Sequence, residues 1–156
     1  MRTHQATGGA MSERNGLFSL RTPEDLLAKL EADLRRLQEA EPTSVEAQYA
    51  AFDFFVTAEH LADWLSASTG ASKSSLRAYP DGALVSHVAN GAKHFRVDRH
   101  DAVSGTRSAG IFDPAMFDPA IFDVGRLVID REDGSQIDVT EVARRVVDHW
   151  RAKIRP

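Results

Sequence analysis

The chain has no cysteine among its 156 residues, so neither a disulfide nor thiolate chemistry enters any account of it. That absence suits a reducing compartment. A long apolar run is missing too: nothing approaches the roughly 18 residues that a membrane-crossing helix requires. Excess positive charge is also lacking, since 19 Lys and Arg stand against 23 Asp and Glu for a net charge of -4. Nonspecific affinity for nucleic acid comes largely from neutralising phosphates, so strong binding of that kind is disfavoured and no DNA partner is expected. The opening stretch, Met1 to Gly16, lacks the apolar centre of a signal peptide. Its Gly, Ser, Thr and Asn predict a flexible tail over residues 1–20, and Met11 is an alternative start. Together these absences lead to the expectation of a soluble cytoplasmic protein that makes no membrane contact.

What is present reads as one globular domain, residues 21–156. The hydrophobic share of 42% and charged share of 27% are those of an ordinary folded chain, and this length has room for one core. The first helix is announced by Thr22 as cap, Pro23 in the first turn and the acids Glu24 and Asp25. Leu26, Leu27, Leu30, Leu34 and Leu37 then recur at helical spacing. Glu41 and Pro42 break this helix. Thr43 and Glu46 form a T-x-x-E capping box that predicts a second helix to about Ser66. That helix is apolar nearly all round, with Val45, Tyr49, Phe52, Phe55, Val56, Leu61 and Leu65, which predicts a place in a bundle interior. Against this background Asp53, Thr57, His60 and Trp64 draw one polar line.

The Ser-, Thr- and Gly-rich stretch from Ala67 to Leu76 reads as a loop. A third helix is predicted from Tyr79–Asp81 to roughly Phe95, with Leu84, Val88, Gly91 and Phe95 on one face and Gly91 as a point of close helix approach. It carries a second polar stripe: His87, Asn90 and His94, with Lys93 beside them. Residues 98–123 read as an irregular flap. Within it IFDPA, MFDPA and IFDVG repeat, and Phe112, Phe117 and Phe122 recur every five residues, a period that suits neither helix nor strand. The simplest role for those rings is to plug the bundle surface; a ligand-covering lid or a partner-binding strip is the sharper alternative. A hairpin is expected over 126–139, turning at Asp133-Gly134 with type I′ geometry. Asp138 or Thr140 caps a last helix whose apolar face is Val142, Val146, Val147, Trp150 and Ile154. The expected fold is therefore mainly α: a four-helix bundle with a small β-hairpin before the last helix.

The residues that could carry chemistry are Asp53, Thr57, His60, His87, Asn90, Lys93 and His94. If the second and third helices pack antiparallel, the two stripes meet. Imidazoles and a carboxylate brought together can do acid–base work near neutral pH or hold a metal. No HExxH or His-x-x-x-His pair is present, so neither metal nor cofactor is expected. The bland alternative is that these groups hydrogen-bond one another inside the bundle. An R-x4-H spacing, Arg144 and His149, lies on the last helix beside its core face and reads as ordinary helix surface. Gly-rich phosphate loops and G-x-S-x-G elbows are missing. Asp113, Asp118 and Asp123 do not follow the spacing of an EF-hand loop.

The piece AAFDFFVTAEHLADWL (Ala50 to Leu65), followed by HVANGAKHF (His87 to Phe95), is similar to a widespread set of uncharacterised bacterial and prophage proteins. The same layout resembles the HEPN domains, helical bundles found in toxin and antiphage ribonucleases and in noncatalytic partners. The active family carries Arg, four to six residues, then His, often as R-N-x-x-x-H. Laid on this chain, Asn90 takes the Asn place and His94 that of the catalytic His, while Ala89 occupies the Arg place. In the family the Arg binds phosphate and the His assists attack by the RNA 2′-hydroxyl; alanine does neither. Arg96 and Arg99 follow closely and offer a substitute charge. The resemblance, which covers about a third of the chain, implies a noncatalytic HEPN-like protein that binds a protein partner or itself in a prophage, toxin–antitoxin or defence setting. Two alternatives stay open: a metal-independent ribonuclease using His94, with RNA as its partner, and a metal- or small-molecule-binding bundle using His60, His87 and His94.

Overall fold

A computed structural model describes residues 17–94, 103–109 and 125–156. The architecture is mainly α, with a small antiparallel sheet before the last helix. Its elements are α1 (Pro23–Glu39), α2 (Val45–Thr69), α3 (Lys73–Arg77), α4 (Gly82–Lys93), β1 (Val103–Ala109), β2 (Arg126–Arg131), β3 (Gln136–Asp138) and α5 (Val139–Ile154). Helix α1 packs along α2 and α5, α4 packs on α2, and α5 closes over the sheet. Residues 17–20 form a turn closed by a bridge between Leu17 and Leu20. The rest of the expected tail, residues 1–16, lies outside the described residues.

Local chemistry explains where the helices start. At α1, Thr22 Oγ1 accepts the Asp25 N–H at 3.1 Å and Asp25 Oδ2 accepts the Thr22 N–H at 3.0 Å, a reciprocal cap behind Pro23. At α2 the expected Thr43 box does not form. Glu41 accepts the Thr43 N–H at 3.0 Å and also its hydroxyl, which occupies that side chain, so the cap passes to Ser44, whose Oγ accepts the Ala47 N–H at 3.1 Å. The helix also runs three residues past Ser66. It stops at Gly70, whose φ of 76° is the left-handed cap that glycine adopts without a Cβ penalty. At α5 the cap is Asp138, accepting from the Glu141 N–H at 3.0 Å.

Four further expectations are corrected. The stretch read as a loop contains α3, a single turn capped by Ser72 that buries Leu76. On α4 the buried residues are Gly82, Leu84, Val85 and Ala89, while Gly91 is exposed. The glycine of close approach is Gly82, where a Cβ would lie 2.0 Å from the Arg77 carbonyl oxygen. Third, part of the presumed irregular flap is a strand. β1 pairs with β2 along Thr106↔Ile129 and Arg107↔Val128, and β2 pairs with β3 at Ile129↔Ile137, so the expected hairpin is two-thirds of a three-stranded sheet. Its β2–β3 turn is not type I′, which needs positive φ at both central residues. Only Gly134 has it, at 82°, while Asp133 accepts the Ser135 N–H at 2.8 Å. The Phe-Asp repeat at 111–123 and the predicted Phe95 lie outside the described residues.

The core is centred on the inner faces of α1, α2 and α5. Leu27, Leu30, Phe54, Leu61, Val142, Val146 and Val147 are fully enclosed there, with Ile129 of β2 beneath. Helix α2 departs from its expected burial. It is apolar all round but covered on one side only. Ala47, Ala50, Phe54, Phe55, Ala58 and Leu61 are buried, whereas Val45, Tyr49 and Phe52 stay in solvent.

Candidate functional site

The first polar line splits between two environments. Asp53 and Thr57 turn toward α1. Thr57 is 5% exposed; its Oγ1 accepts from Lys29 Nζ at 2.8 Å and lies 3.0 Å from Asp33 Oδ2 and 2.8 Å from the Asp53 carbonyl oxygen. A hydroxyl has one proton, so it serves one of those two acceptors at a time. Asp33, only 3% exposed, takes Lys29 at 2.6 Å and Arg36 at 3.4 Å, and Arg36 reaches on to Asp53 at 2.9 Å. Burying a carboxylate is costly without such partners. These charges join α1 to α2.

His60 turns the other way, into a groove of about 480 Å³ between α2, α3 and α4. Asn90 and Lys93 line its far wall, over a floor that includes Val56 and Ala89. Two carboxylates one helical turn apart form its head. Glu59 Oε1 meets Arg77 Nε at 2.7 Å, an ion pair in which the N–H is not aligned for a hydrogen bond, and Glu59 Oε2 accepts from Ser86 at 2.7 Å. Asp63 Oδ1 takes Lys73 at 2.9 Å and Arg77 at 3.2 Å, and its other oxygen lies 3.6 Å from His60 Nδ1. Burial pushes the Asp63 carboxyl up. The Lys73 hydrogen bond and the Arg77 and Lys73 charges more than offset that, leaving it below the usual carboxylate range.

The second stripe divides as well. Asn90 is in the groove. His94 caps the exposed end of α4, linked to Asn90 only through its backbone N–H on the Asn90 carbonyl at 2.8 Å, and it does not line the groove. His87 is half-buried and outside the groove. Ala89, 8% exposed, lies on the floor of the groove. Arg96 and Arg99 lie outside the described residues. Among the described residues no group of three or more His, Asp or Glu could hold a metal, and His60, His87 and His94 are not brought together. The seven expected residues therefore reduce to three that share a cleft: His60, Asn90 and Lys93.

One feature escaped the sequence reading, and a second departs from the ordinary helix surface expected of it. One is an apolar cavity of about 310 Å³ where α2 meets the sheet, walled by Tyr49, Phe52, Phe55, Val88, Leu127 and Ile129. Tyr49 and Phe52 line it and are also part of the exposed strip of α2, 66% and 52% exposed, with Val45 at 51%. The signal was there in the spacing of Val45, Tyr49, Phe52 and Val56 along a helix whose opposite face already supplied a complete apolar stripe. The other is His149. Its ring stacks on Tyr79 with centroids 4.1 Å apart and planes 12° from parallel, and its Nε2 is buried without a hydrogen-bond partner among the described residues. Arg144, its expected companion, is exposed.

No protein-family model, curated protein or solved structure matches the chain. Among the described residues, no helix is long and apolar enough to cross a membrane.

Proposed function

We propose that this protein is a noncatalytic, HEPN-like helical interaction protein that works in the cytoplasm by contact with protein, in a prophage, toxin–antitoxin or defence setting. The observation that carries the binding part is the solvent-facing strip of α2, where Val45, Tyr49 and Phe52 stay exposed beside an apolar cavity. Monomeric surfaces scatter single apolar residues; aromatic side chains in a row over a cleft have the composition of a contact surface. The polar residues speak against a catalytic role. Asp53 and Thr57 are engaged in the α1–α2 ion network, and Asp63 is engaged by Lys73 and Arg77. The HEPN-like part and its setting rest on the sequence of α2 and α4. The noncatalytic part rests on Ala89, a buried residue at the place of the phosphate-binding Arg.

The test is incubation of the purified chain, and of His94→Ala, with single-stranded RNA. The expected result is no cleavage by either. Robust cleavage that disappears in the variant would overturn the proposal in favour of a ribonuclease using His94. For the metal-binding alternative, zinc or nickel should leave the melting temperature unchanged, because a ligand stabilises only what it binds.

A further inference from the structure

We infer that the groove between α2, α3 and α4 binds a free peptide of two or three residues, with its amino terminus at Asp63 and its carboxylate at Lys93. This goes beyond the contact reading above and does not depend on it. A concave site with an apolar floor and a few convergent polar groups is the form that small-ligand sites take. The groove, of about 480 Å³, has such a floor in Phe52, Val56, Ala89 and Ala92. Its lining charges are sorted by sign. Glu59 and Asp63 outnumber Arg77 at the head, while Lys93 stands at the other end with Asn90. A ligand that carries both signs, one at each end, matches this distribution; a simple anion or cation matches half of it.

The open hydrogen-bonding positions fall at the same two ends. Both Glu59 oxygens are taken, one by Arg77 and one by Ser86. Asp63 Oδ1 holds Lys73 and Arg77, but Asp63 Oδ2 has only His60 Nδ1 near it, at 3.6 Å, beyond hydrogen-bond reach. With the imidazole proton on Nε2, these two atoms are both acceptors, and one ammonium with its three hydrogens bridges them. At the other end, the side chains of Lys93 and Asn90 make no hydrogen bond or ion pair among the described residues. An ammonium and an amide NH₂ side by side offer donors to a carboxylate.

Helix register sets the length of the ligand. Ser86 Oγ lies 2.7 Å from Glu59 Oε2, so these two positions are level, and α4 runs from there toward Val56 and Phe52. At about 1.5 Å per residue, Asn90 lies roughly 6 Å to one side of that level and Asp63 roughly 6 Å to the other. Lys93 stands about one turn beyond Asn90, and its long stem reaches back. With the side chains reaching inward, a ligand whose charges are roughly 7–10 Å apart touches both ends. An extended peptide covers about 3.3–3.6 Å per residue, so two or three residues span the groove and a single amino acid does not. An apolar side chain on such a peptide rests on Val56 and Ala89.

Titration of the full chain with the tripeptide alanyl-leucyl-alanine, followed by amide chemical shifts at about pH 7 where its amino terminus is mostly protonated, reads the site. Saturable shifts are expected around His60, Asp63, Asn90 and Lys93. Acetylating the amino terminus or amidating the carboxylate is expected to weaken binding about tenfold each, the worth of a hydrogen bond to a charged group. Free alanine is expected to produce no saturable shift. Lys93→Met, at an exposed position, is expected to weaken the free peptide about tenfold and to leave the amidated peptide unchanged. The acetylated peptide tests the Asp63 end without disturbing the Lys73 and Arg77 contacts that Asp63→Asn would loosen. Absence of saturable shifts, shifts centred away from the groove, blocked peptides or alanine binding as well as the free tripeptide, or Lys93→Met weakening free and amidated peptides equally would each overturn the inference.

Discussion

The imidazole of His149 lies flat against the phenol of Tyr79, 4.1 Å between centroids, with Trp150 set edge-on to both rings. This stack ties the last helix to the segment that leads into α4. Arg145 reinforces it from the same helix through a two-pronged contact with Asp81, at 2.8 and 3.0 Å. The surroundings disfavour a charged ring: burial, and then the nearby Lys153 charge, holds the His149 imidazole below its ordinary value. The Tyr79 phenol is pushed up, by burial above all.

The stack has a pH signature. The folded chain keeps His149 neutral at pH values where the unfolded chain, titrating near 6.5, takes up a proton. Its contribution is therefore complete above about pH 6.5 and is lost as the pH falls from there toward the lower folded-state value. The melting temperature should fall on going from about pH 7.5 to about pH 5.5. In His149→Phe, which keeps a flat ring but cannot titrate, the fall should be shallower. Parallel curves for the two proteins would show that the imidazole is not responsible.

Thr57→Val should weaken the join between α1 and α2. The valine fills the same space but leaves the buried Asp33 short of a hydroxyl donor and Lys29 short of an acceptor. The expected cost is about 1–3 kcal/mol by urea unfolding, the penalty of a stranded buried polar group. A loss below a few tenths would mean that Lys29 and Asp33 satisfy each other without the hydroxyl.

Gly82→Ala should be costly for a different reason. Its Cβ would sit 2.0 Å from the Arg77 carbonyl oxygen, and that atom is backbone, not the tip of a mobile side chain. Relief requires α3 and α4 to move apart, at about 1–3 kcal/mol. By contrast Gly91→Ala, on the exposed side of α4, should be neutral or slightly stabilising through helix propensity. Thermal unfolding of the pair checks both, and equal effects would contradict the packing described.

His94→Ala should leave stability within about 0.5 kcal/mol of wild type, because the side chain is exposed at the end of α4 and strands nothing when removed. A buried shared network with His60 would instead cost several times that. A large loss in a denaturant titration would place His94 in such a network after all.

Much of the fold could be read from local patterns. The leucine ladder of α1, the Thr22–Asp25 cap and the valine face of α5 each depend on residues within a turn or two of one another. The misses share a physical cause. VSGTRSA shows no apolar alternation, and β1 exists because β2 offers it a ladder of hydrogen bonds. Thr43 was an adequate cap on paper, but Glu41 competed for it. Gly91 and Gly82 look alike in sequence, and only the position of the Arg77 carbonyl distinguishes them. For the site, helical spacing correctly placed polar residues in lines, but a line on a helix spans enough of its circumference to face two different neighbours. Asp53 and Thr57 accordingly went to α1, and His60 went to the groove.

The sequence by itself determined that this is a mainly α chain without thiol chemistry, with helices where apolar residues recur at helical spacing, because periodicity and capping are local and need no partner to be recognised. It also determined that α2 is apolar on every side. Only the tertiary structure decided which side is covered. The α1, α4 and α5 helices and the sheet together enclose the face with Phe54, Ala58 and Leu61, and they leave Val45, Tyr49 and Phe52 in water. Burial depends on how many neighbours the rest of the chain can supply, and this chain supplies none to cover that strip among its described residues.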